Sequence, residues 1–268
     1  MTAAPAPESR SPQVHVDRPA PGVAVLTLDS PPRNAFGVPE GEAFSAAFEP
    51  LDADPEVRCI VVTGAGRAFL AGGDLKHQLT LTTREAQAAH ADHPRSLSAA
   101  MRLVEGARVP VIAAINGPVA GGGLEFALCC DVRLASDEAT FVAAGVNVGL
   151  ILSWYRLPRI VGLGRAKEML LTGAAYPAEQ AERWGLVTGV HRRAELLPAA
   201  VAMAERIASR APLSVENTKA CANRAFDLSS TELAELQREK FLEMFATRDH
   251  EEALRAFFDR RAPSFERR

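Results

Sequence analysis

The residues best suited to chemistry in this 268-residue chain lie in two glycine-rich stretches. The first, residues 64–76, contains the run AGGDL at 71–75, and the second, residues 115–125, contains GGGLE at 121–125. Each stretch follows an apolar, β-branched run and precedes a helix-compatible segment, which predicts a strand, a glycine-rich turn and a helix. One exposed backbone N–H from each turn could therefore bind the same oxygen atom.

Glu125 adds a proton-transfer group to the second turn. It lies three residues after Gly122, so on a helix that begins there its carboxylate returns to the face that carries the Gly122 N–H. This pairing suits proton transfer next to a carbonyl, and a thioester carbonyl that becomes an enolate is a suitable acceptor. Each stretch alone has an ordinary structural explanation, because glycines often form turns and a first-turn glutamate complements the helix dipole. The two stretches together favour the catalytic interpretation.

A dinucleotide site is the first competing interpretation, because residues 64–69 read GAGRAF after a strand-like run. Phe69 stands where the third glycine would be, and the acidic residue about 20 positions on is Glu85, outside any strand-like run. The chain also lacks the GxSxG, phosphate-loop lysine and HExxH patterns of common hydrolases, kinases and metalloproteases. His90 and His93 could share a helix face, but without a third clear ligand we expect surface residues and no metal site.

Charge and cysteine content argue against several other classes of protein. The net charge is −3 with acids and bases mixed along the chain, which gives no reason to expect nucleic acid or an anionic membrane as a partner. The four cysteines lack paired spacing, so we expect reduced packing residues in a cytoplasmic protein. They are Cys59, Cys129, Cys130 and Cys221. Residues 1–12 lack an apolar signal-peptide core and are predicted to form a flexible tail. Asn116 and Pro118 interrupt the longest apolar run, which argues against a membrane span.

Strand and helix patterns are mixed through the first two-thirds of the chain, and helical patterns alone follow. The last helix candidates are 194–209, 212–225, 229–245 and 250–261. This order predicts an α/β core with a helical C-terminal region. Residues 77–95 are polar, contain several alanines and have no firm periodicity, and they could form a mobile cover.

Motifs along nearly the whole chain form a further pattern. They are Asn34-Ala35, AGGDL at 71–75, PVIAAING at 110–117, GGGLE at 121–125, Cys130-Asp131 and Phe245-Ala246-Thr247. With them the chain resembles the enoyl-CoA hydratase/isomerase (crotonase) superfamily. The resemblance implies an α/β, crotonase-like spiral of ββα repeats with a C-terminal helical trimerisation region, and a homotrimer or a dimer of trimers. It divides the chain into the tail at 1–12, an acyl-CoA-binding core at 13–200 and an oligomerisation region at 201–268.

The resemblance also implies roles for individual residues. Gly73 and Gly122 look like the two oxyanion-hole donors, and Glu125 looks like a catalytic glutamate. Further contacts with an acyl-CoA thioester are implied for Arg33 and Ala35 near the nucleotide end, for Ala71, Asp74 and Leu75 along the first turn, and for Arg260. Arg260 would reach the CoA phosphate of a neighbouring subunit, or remain a solvated cation at a helix end. Coenzyme A is then part of the substrate, and no permanently bound cofactor is expected.

One position departs from the pattern of the family's hydratases, which usually carry a second glutamate. Where the family reads FGxPE, residues 141–145 read FVAAG, so Gly145 stands at the position of that glutamate. Bulky side chains at 152–156 replace a glycine-rich stretch, and Trp154 and Tyr155 could be core residues or pocket walls. Loss of a general acid or base typically costs about 10²–10⁴-fold in rate, so we expect inefficient hydration of simple substrates. The candidate replacements are His77, Asn147, Ser153 and Tyr155.

These observations lead to one functional hypothesis and two alternatives. The hypothesis is an enoyl-CoA hydratase/isomerase-like lyase or isomerase that polarises a thioester and keeps Glu125 as its sole acid/base. The first alternative is a non-catalytic acyl-CoA carrier. The second is a different reaction through an enolate, such as double-bond migration or decarboxylation, for which one acid/base is sufficient.

Overall fold

The computed structural model describes residues 11–268, and a six-stranded sheet lies at its centre. The strands are β1 (Gln13–Ala20), β2 (Val23–Asp29), β3 (Ala35–Phe36), β4 (Cys59–Gly64), β5 (Gly72–Gly73), β6 (Val111–Ile115), β7 (Val119–Ala120), β8 (Val132–Ser136), β9 (Thr140–Val142), β10 (Ala175–Pro177) and β11 (Gly189–His191). The helices are α1 (Val38–Ala53), α2 (Leu75–Gln78), α3 (Arg84–Ala91), α4 (Leu97–Glu105), α5 (Gly122–Cys129), α6 (Arg156–Val161), α7 (Leu163–Thr172), α8 (Ala178–Arg183), α9 (Arg193–Ala208), α10 (Pro212–Ala222), α11 (Ser230–Phe245) and α12 (Arg248–Asp259), with a short 3₁₀ helix at Val146–Val148.

Both faces of the main sheet are covered at its central strands. Its strand order is β1-β2-β4-β6-β8-β11, with β1 antiparallel to β2 and the other neighbours parallel. Every residue of β4 and β6 is buried, as expected for parallel strands with helices on both sides. One face packs against α9 through Leu196, Ala200 and Ala204, and the other packs against a cluster that includes Phe44 and Phe126.

The main strands β2, β4, β6 and β8 are each followed by a short strand of a smaller sheet and then by helical structure. The short strand β3 pairs in parallel with β5, and β7 pairs in parallel with β9, while β10 adds to β9 in the antiparallel sense. This succession confirms the predicted spiral of ββα repeats. The helices α9 to α12 confirm the predicted helical C-terminal region.

Residues 77–95 contain more regular structure than their sequence predicts. The hydroxyl of Thr83 accepts the Ala86 N–H at 3.2 Å and begins α3, and the hydroxyl of Ser96 accepts the Ala99 N–H at 3.2 Å and begins α4. No residue of α2 or α3 is fully buried. The segment therefore has no apolar face that periodicity could detect, and capping side chains mark its helix starts instead.

The C-terminal helices begin as part of the core. The helix α9 lies on the main sheet and continues past residue 200, where the sequence placed a boundary, so the division into 13–200 and 201–268 stays a prediction. Lys219 of α10 is buried, with its Nζ 2.9 Å from Asp131 Oδ2 and 2.9 Å from the Val109 carbonyl oxygen.

Of the predicted tail at 1–12, residues 1–10 lie outside the described residues. Within residues 11–268 no helix has both the length and the apolar character needed to cross a membrane.

The four cysteines are free thiols in the structure. Cys59, Cys129 and Cys130 are buried, and Cys221 is half-buried. Burial raises the pKa of Cys59 and of Cys129 to about 12, so both thiols stay protonated near neutral pH. This agrees with the packing role that their apolar surroundings predict.

Candidate active site

The two glycine-rich turns meet at one cavity of about 790 Å³. Gly73 lies in β5, directly after the loop that leaves β4, and Gly122 is the first residue of α5. Both line the cavity, and a Cβ placed on Gly122 would lie 3.7 Å from the Gly73 nitrogen. The structure therefore brings together the two halves of the site that the sequence predicts.

Two asparagines bind the first turn, and one of them also joins it to the second turn. Asn116 accepts the Gly64 N–H at 3.2 Å through Oδ1 and donates to the Gly66 carbonyl oxygen at 3.2 Å through Nδ2, so the second turn is bonded to the first. Asn34 is buried and donates from Nδ2 to the carbonyl oxygens of Ala65, Ala68 and Phe69 at 2.9–3.2 Å. These bonds satisfy loop carbonyls that the sheet does not reach.

Some of the glycines allow one backbone to approach another. A Cβ on Gly117 would lie 2.0 Å from the Arg67 carbonyl oxygen, and a Cβ on Gly123 would lie 2.0 Å from the Leu70 carbonyl oxygen. Any other residue at these positions would push the two turns apart. Glycine is thus required here for contact between the turns, in addition to any contact with a ligand.

The helix α5 supplies an electropositive end to the cavity. The N–H of its first residue, Gly122, has no acceptor within the helix, because the first four N–H groups of an α-helix lack one. Gly121, at φ +53°, donates its own N–H to the Val142 carbonyl oxygen at 3.0 Å and so orients the start of the helix. The aligned peptide dipoles add a partial positive charge at this end, which favours an oxyanion.

Glu125 reaches the same cavity from the first turn of α5. Its side chain is 12 % exposed, and its Oε1 lies 3.1 Å from Nη1 of Arg156, which also lines the cavity. Arg156 makes two further bonds to Glu105, from Nη2 to Oε2 at 2.8 Å and from Nε to Oε1 at 3.2 Å. Burial alone would lower the pKa of Arg156, but the hydrogen bond to Glu105 and the charge of that carboxylate outweigh burial and raise the pKa. The guanidinium is therefore a permanent cation beside Glu125.

The sequence model of the enoyl-CoA hydratase/isomerase family matches residues 18–268 of the chain. The chain belongs to this family. A crotonyl-CoA hydratase of Syntrophomonas wolfei is 35 % identical over 248 residues, which cover 91 % of this chain and 94 % of that protein. A probable enoyl-CoA hydratase of Mycobacterium tuberculosis is 38 % identical over 267 residues, which cover 94 % of this chain and 92 % of that protein.

Solved structures of the family have the same fold. The enoyl-CoA hydratase from Bacillus anthracis superimposes with a TM-score of 0.89 at 31 % identity, over 96 % of this chain and all of that one. A probable enoyl-CoA hydratase/isomerase from Mycobacterium abscessus superimposes with a TM-score of 0.83 at 36 % identity, over 96 % of this chain and all of that one. The likeness extends over both the core and the C-terminal helices.

The other residues predicted from the family resemblance are spread over and around the cavity. Ala71 and Leu75 line it, whereas the carboxylate of Asp74 caps α2 by accepting the N–H groups of Lys76 and His77. The Arg33 carbonyl oxygen accepts the Ala71 N–H at 3.2 Å, and Ala35 pairs with Gly72 in the β3–β5 sheet. Arg260 ends α12 at φ +55°, is exposed and does not line this cavity. Their contacts with CoA stay predictions.

Gly145, where the family's hydratases usually carry a glutamate, precedes the 3₁₀ helix and is buried. Its neighbours Ala144 and Val148 line the cavity, but Gly145 itself does not. A Cβ at this position would lie 2.8 Å from the Leu150 carbonyl oxygen and 3.2 Å from the Leu152 nitrogen. The loop that follows therefore occupies the space into which a glutamate at 145 would project.

The candidate replacements for that glutamate differ in where they lie. Asn147 donates to the Gly173 carbonyl oxygen at 2.9 Å, and the buried Ser153 hydroxyl has no hydrogen-bond partner among the described residues and does not line the cavity. Tyr155 does line it, and burial raises the pKa of its phenol. His77 lies beside the cavity, with its ring centroid 5.2 Å from that of His90.

His90 and Arg156 are among the cavity residues that the sequence interpretation missed. His90, expected on the surface, is half-buried and lines the cavity, and burial followed by the neighbouring His77 and His93 lowers its pKa. Arg156 appeared in the sequence only as one of several bulky residues, because its partners Glu105 and Glu125 lie 51 and 31 positions away. Nothing in the local sequence identifies either residue.

No group of three or more potential metal ligands occurs in the part of the chain that the structure describes.

Proposed function

We propose that this member of the family binds an enoyl-CoA thioester and moves protons through an enolate, with Glu125 as its sole acid/base. The thioester carbonyl oxygen would accept the N–H groups of Gly73 and Gly122, which lie on adjacent turns at one cavity. Stabilising negative charge on that oxygen lowers the barrier to forming the enolate. The observation that carries the proposal is that Glu125 is the one acidic residue that lines this cavity, among residues 11–268.

A single carboxylate is sufficient for double-bond isomerisation. In a 3-enoyl thioester the Glu125 carboxylate removes a proton from Cα, and the electron pair delocalises onto the carbonyl oxygen as a dienolate. The same carboxyl group then returns the proton to Cγ, which leaves the double bond between Cα and Cβ. One group acting in turn as base and acid matches the residues that line the cavity.

Hydration of a 2-enoyl thioester requires two proton transfers at different atoms, the water oxygen and Cα. The water oxygen adds to Cβ, Glu125 takes a proton from that water, and a proton must be delivered to Cα. The relatives named as hydratases favour this reaction. The absence of a second carboxylate from the described cavity lining favours slow hydration compared with isomerisation.

Turnover of a panel of 2-enoyl-CoA and 3-enoyl-CoA esters by the wild type and Glu125→Gln tests the proposal. The wild type is expected to convert at least one ester, and Glu125→Gln to lose about 10²–10⁴-fold in kcat, the usual contribution of a general acid or base. Calorimetry should give similar Kd values for a saturated acyl-CoA in both proteins. Equal turnover in the two proteins would contradict the role of Glu125.

The second candidate function is an acyl-CoA carrier without catalysis. The ion pair between Glu125 and Arg156 favours it, because Oε1 of the carboxylate is already bonded within the protein. In that case calorimetry detects binding, and neither isomerisation nor hydration exceeds the rate of the glutamine variant. If no CoA ester binds, the acyl-CoA proposal itself fails.

We further propose that the protein is a cytoplasmic homotrimer or dimer of trimers, in which residues 201–268 contribute to the interface. Several large apolar side chains of this region are exposed in the single chain, and patches of this kind usually mark an interaction surface. They are Phe226, Phe241, Phe245, Phe257 and Phe258. Sedimentation equilibrium should give three or six times the mass of the chain.

A further inference from the structure

Arg156 stands between the acid/base of the site and a second carboxylate that lies behind it. Its side chain is 12 % exposed and contacts Glu125 on one side and Glu105 on the other. Glu105 ends α4, Glu125 lies in the first turn of α5, and Arg156 begins α6. One guanidinium therefore joins three helices at the wall of the cavity.

The two hydrogen bonds from Arg156 to Glu105 fix the direction of its third hydrogen bond, the one to Glu125. Nε and Nη2 face the two oxygens of Glu105 in a bidentate pair, and the guanidinium carbon lies 4.4 Å from the centroid of the Tyr155 ring. A guanidinium is planar and rigid, so a pair that holds two of its nitrogens also sets the position of the remaining one. That remaining nitrogen, Nη1, donates to Glu125 Oε1.

Glu125 has a flexible side chain whose orientation would otherwise be weakly determined. The sole side-chain hydrogen bond of its carboxylate to another described residue is the one from Arg156 to Oε1. With Oε1 bonded in this way, Oε2 is the oxygen left to exchange a proton with a bound thioester. An error of about 1 Å in such a position can cost about 10²-fold in rate.

We propose that Arg156, held by Glu105, is a positioning residue that orients the Glu125 carboxylate toward the substrate. The inference rests on the proposed function, because it assigns the geometry on which proton transfer by Glu125 depends. Arg156 itself exchanges no proton, and it acts through Glu125. A guanidinium that served stability alone would affect folding and leave the turnover of the folded protein unchanged.

The first experiment compares kcat and KM of Arg156→Met and Arg156→Lys with the wild type, on the ester that the wild type converts fastest. Arg159→Met is the matched control, since Arg159 lies in the same helix and pairs with Asp227 at the exposed surface. We expect Arg156→Met to lose about 10–10²-fold in kcat, with KM and the Kd for a saturated acyl-CoA within about twofold. Arg156→Lys should recover only part of kcat, because an ammonium group cannot reproduce the bidentate pair and the third bond together.

A double-mutant cycle tests the part of Glu105. Glu105→Gln alone is expected to lower kcat less than Arg156→Met does, and to lower it no further when Arg156 is already methionine. Additive losses would mean that Glu105 acts independently of Arg156. A loss of kcat in Arg156→Met no larger than that in Arg159→Met would overturn the inference.

A crystal structure of Arg156→Met separates this inference from the proposed function, because it needs no turnover. The inference expects the Glu125 carboxylate to leave its present position or to occupy more than one conformer. An unchanged single conformer overturns it, whatever the kinetics give. Equal turnover by the wild type and Glu125→Gln overturns the proposed function instead.

Discussion

The two sides of the cavity are built in different ways. The turn side, residues 70–73 and 120–123, is made of backbone that packs against backbone, with Leu70 and Gly72 buried and Gly123 in close contact with the Leu70 carbonyl oxygen. The outer wall, residues 75–98 and 144–156, presents side chains such as Leu75, 51 % exposed, and Tyr155, 38 % exposed. Packing thus fixes the groups that we propose to polarise a carbonyl, whereas the side chains that would contact an acyl chain lie mainly in the more exposed outer wall.

The largest expected effect comes from adding one methyl group on the turn side. In Gly123→Ala the new Cβ would lie 2.0 Å from the Leu70 carbonyl oxygen, so one of the two backbones must shift. We expect a loss of about 4 kcal/mol or more in the free energy of unfolding. That loss corresponds to a fall of roughly 8–16 °C in Tm, measured by thermal denaturation with and without a CoA ester.

Gly164→Ala is the matched control for this substitution. Gly164 lies in α7, and a Cβ there would meet no atom within 4 Å. This variant should be stabilised by about 0.4–1 kcal/mol, because alanine restricts the unfolded chain more than glycine does. A Gly123→Ala protein as stable as Gly164→Ala would show that the turns are not in rigid contact.

The turn side could be predicted from the sequence because its signals are local. A buried β-branched strand, a run of glycines and a glutamate three positions after Gly122 all lie within residues 109–125, and they fix the positions of Gly122 and Glu125 relative to each other. The sequence alone raised the meeting of the two turns as a possibility, but the choice of Gly73 as the partner of Gly122 needed the family resemblance, since no spacing rule relates two turns about 50 residues apart. Asn34 and Asn116 both lie in motifs that the sequence shows, but only the structure reveals which backbone groups they bind.

The outer wall could not be predicted to the same extent, for physical reasons. Its helix α3 has no buried residue, so it carries no hydrophobic period, and His90 reaches the cavity from a segment that reads as a polar surface. The positioning role that we propose for Arg156 depends on two partners on other helices. Side-chain contacts between distant segments depend on tertiary geometry, which a local sequence pattern does not encode.

A middle-sized effect is expected when the missing carboxylate is restored to the outer wall. In Gly145→Glu the Cβ would lie 2.8 Å from the Leu150 carbonyl oxygen, so the loop at 150–152 must shift. We expect the free energy of unfolding to fall by about 1–3 kcal/mol, the usual cost of overpacking. Hydration of 2-enoyl-CoA should not increase, as measured by steady-state turnover.

Gly145→Ala separates crowding from charge in that experiment. It adds the same Cβ without a carboxylate, so it should reproduce most of the loss in stability. A Gly145→Glu protein with unchanged Tm and faster hydration would instead mean that the outer wall adapts to a second glutamate. The outer wall would then tolerate substitution better, compared with the turn side, than the contacts in the structure indicate.

The smallest expected effect concerns His77 and His90, two of the three histidines of the outer wall. Burial, and then His77 and His93, lowers the pKa of His90, so between that lowered pKa and its ordinary value near 6.5 the unfolded chain binds more protons than the folded one. Stability therefore rises with pH through this interval and falls on acidification. His77→Gln removes one cause of the lowered His90 pKa. The Tm of this variant should therefore fall less between pH 8 and pH 5 than the Tm of the wild type, by about 1–2 °C. In a His90→Gln background the same substitution should have no such effect, and an equal effect in both backgrounds would show that His77 does not act through His90.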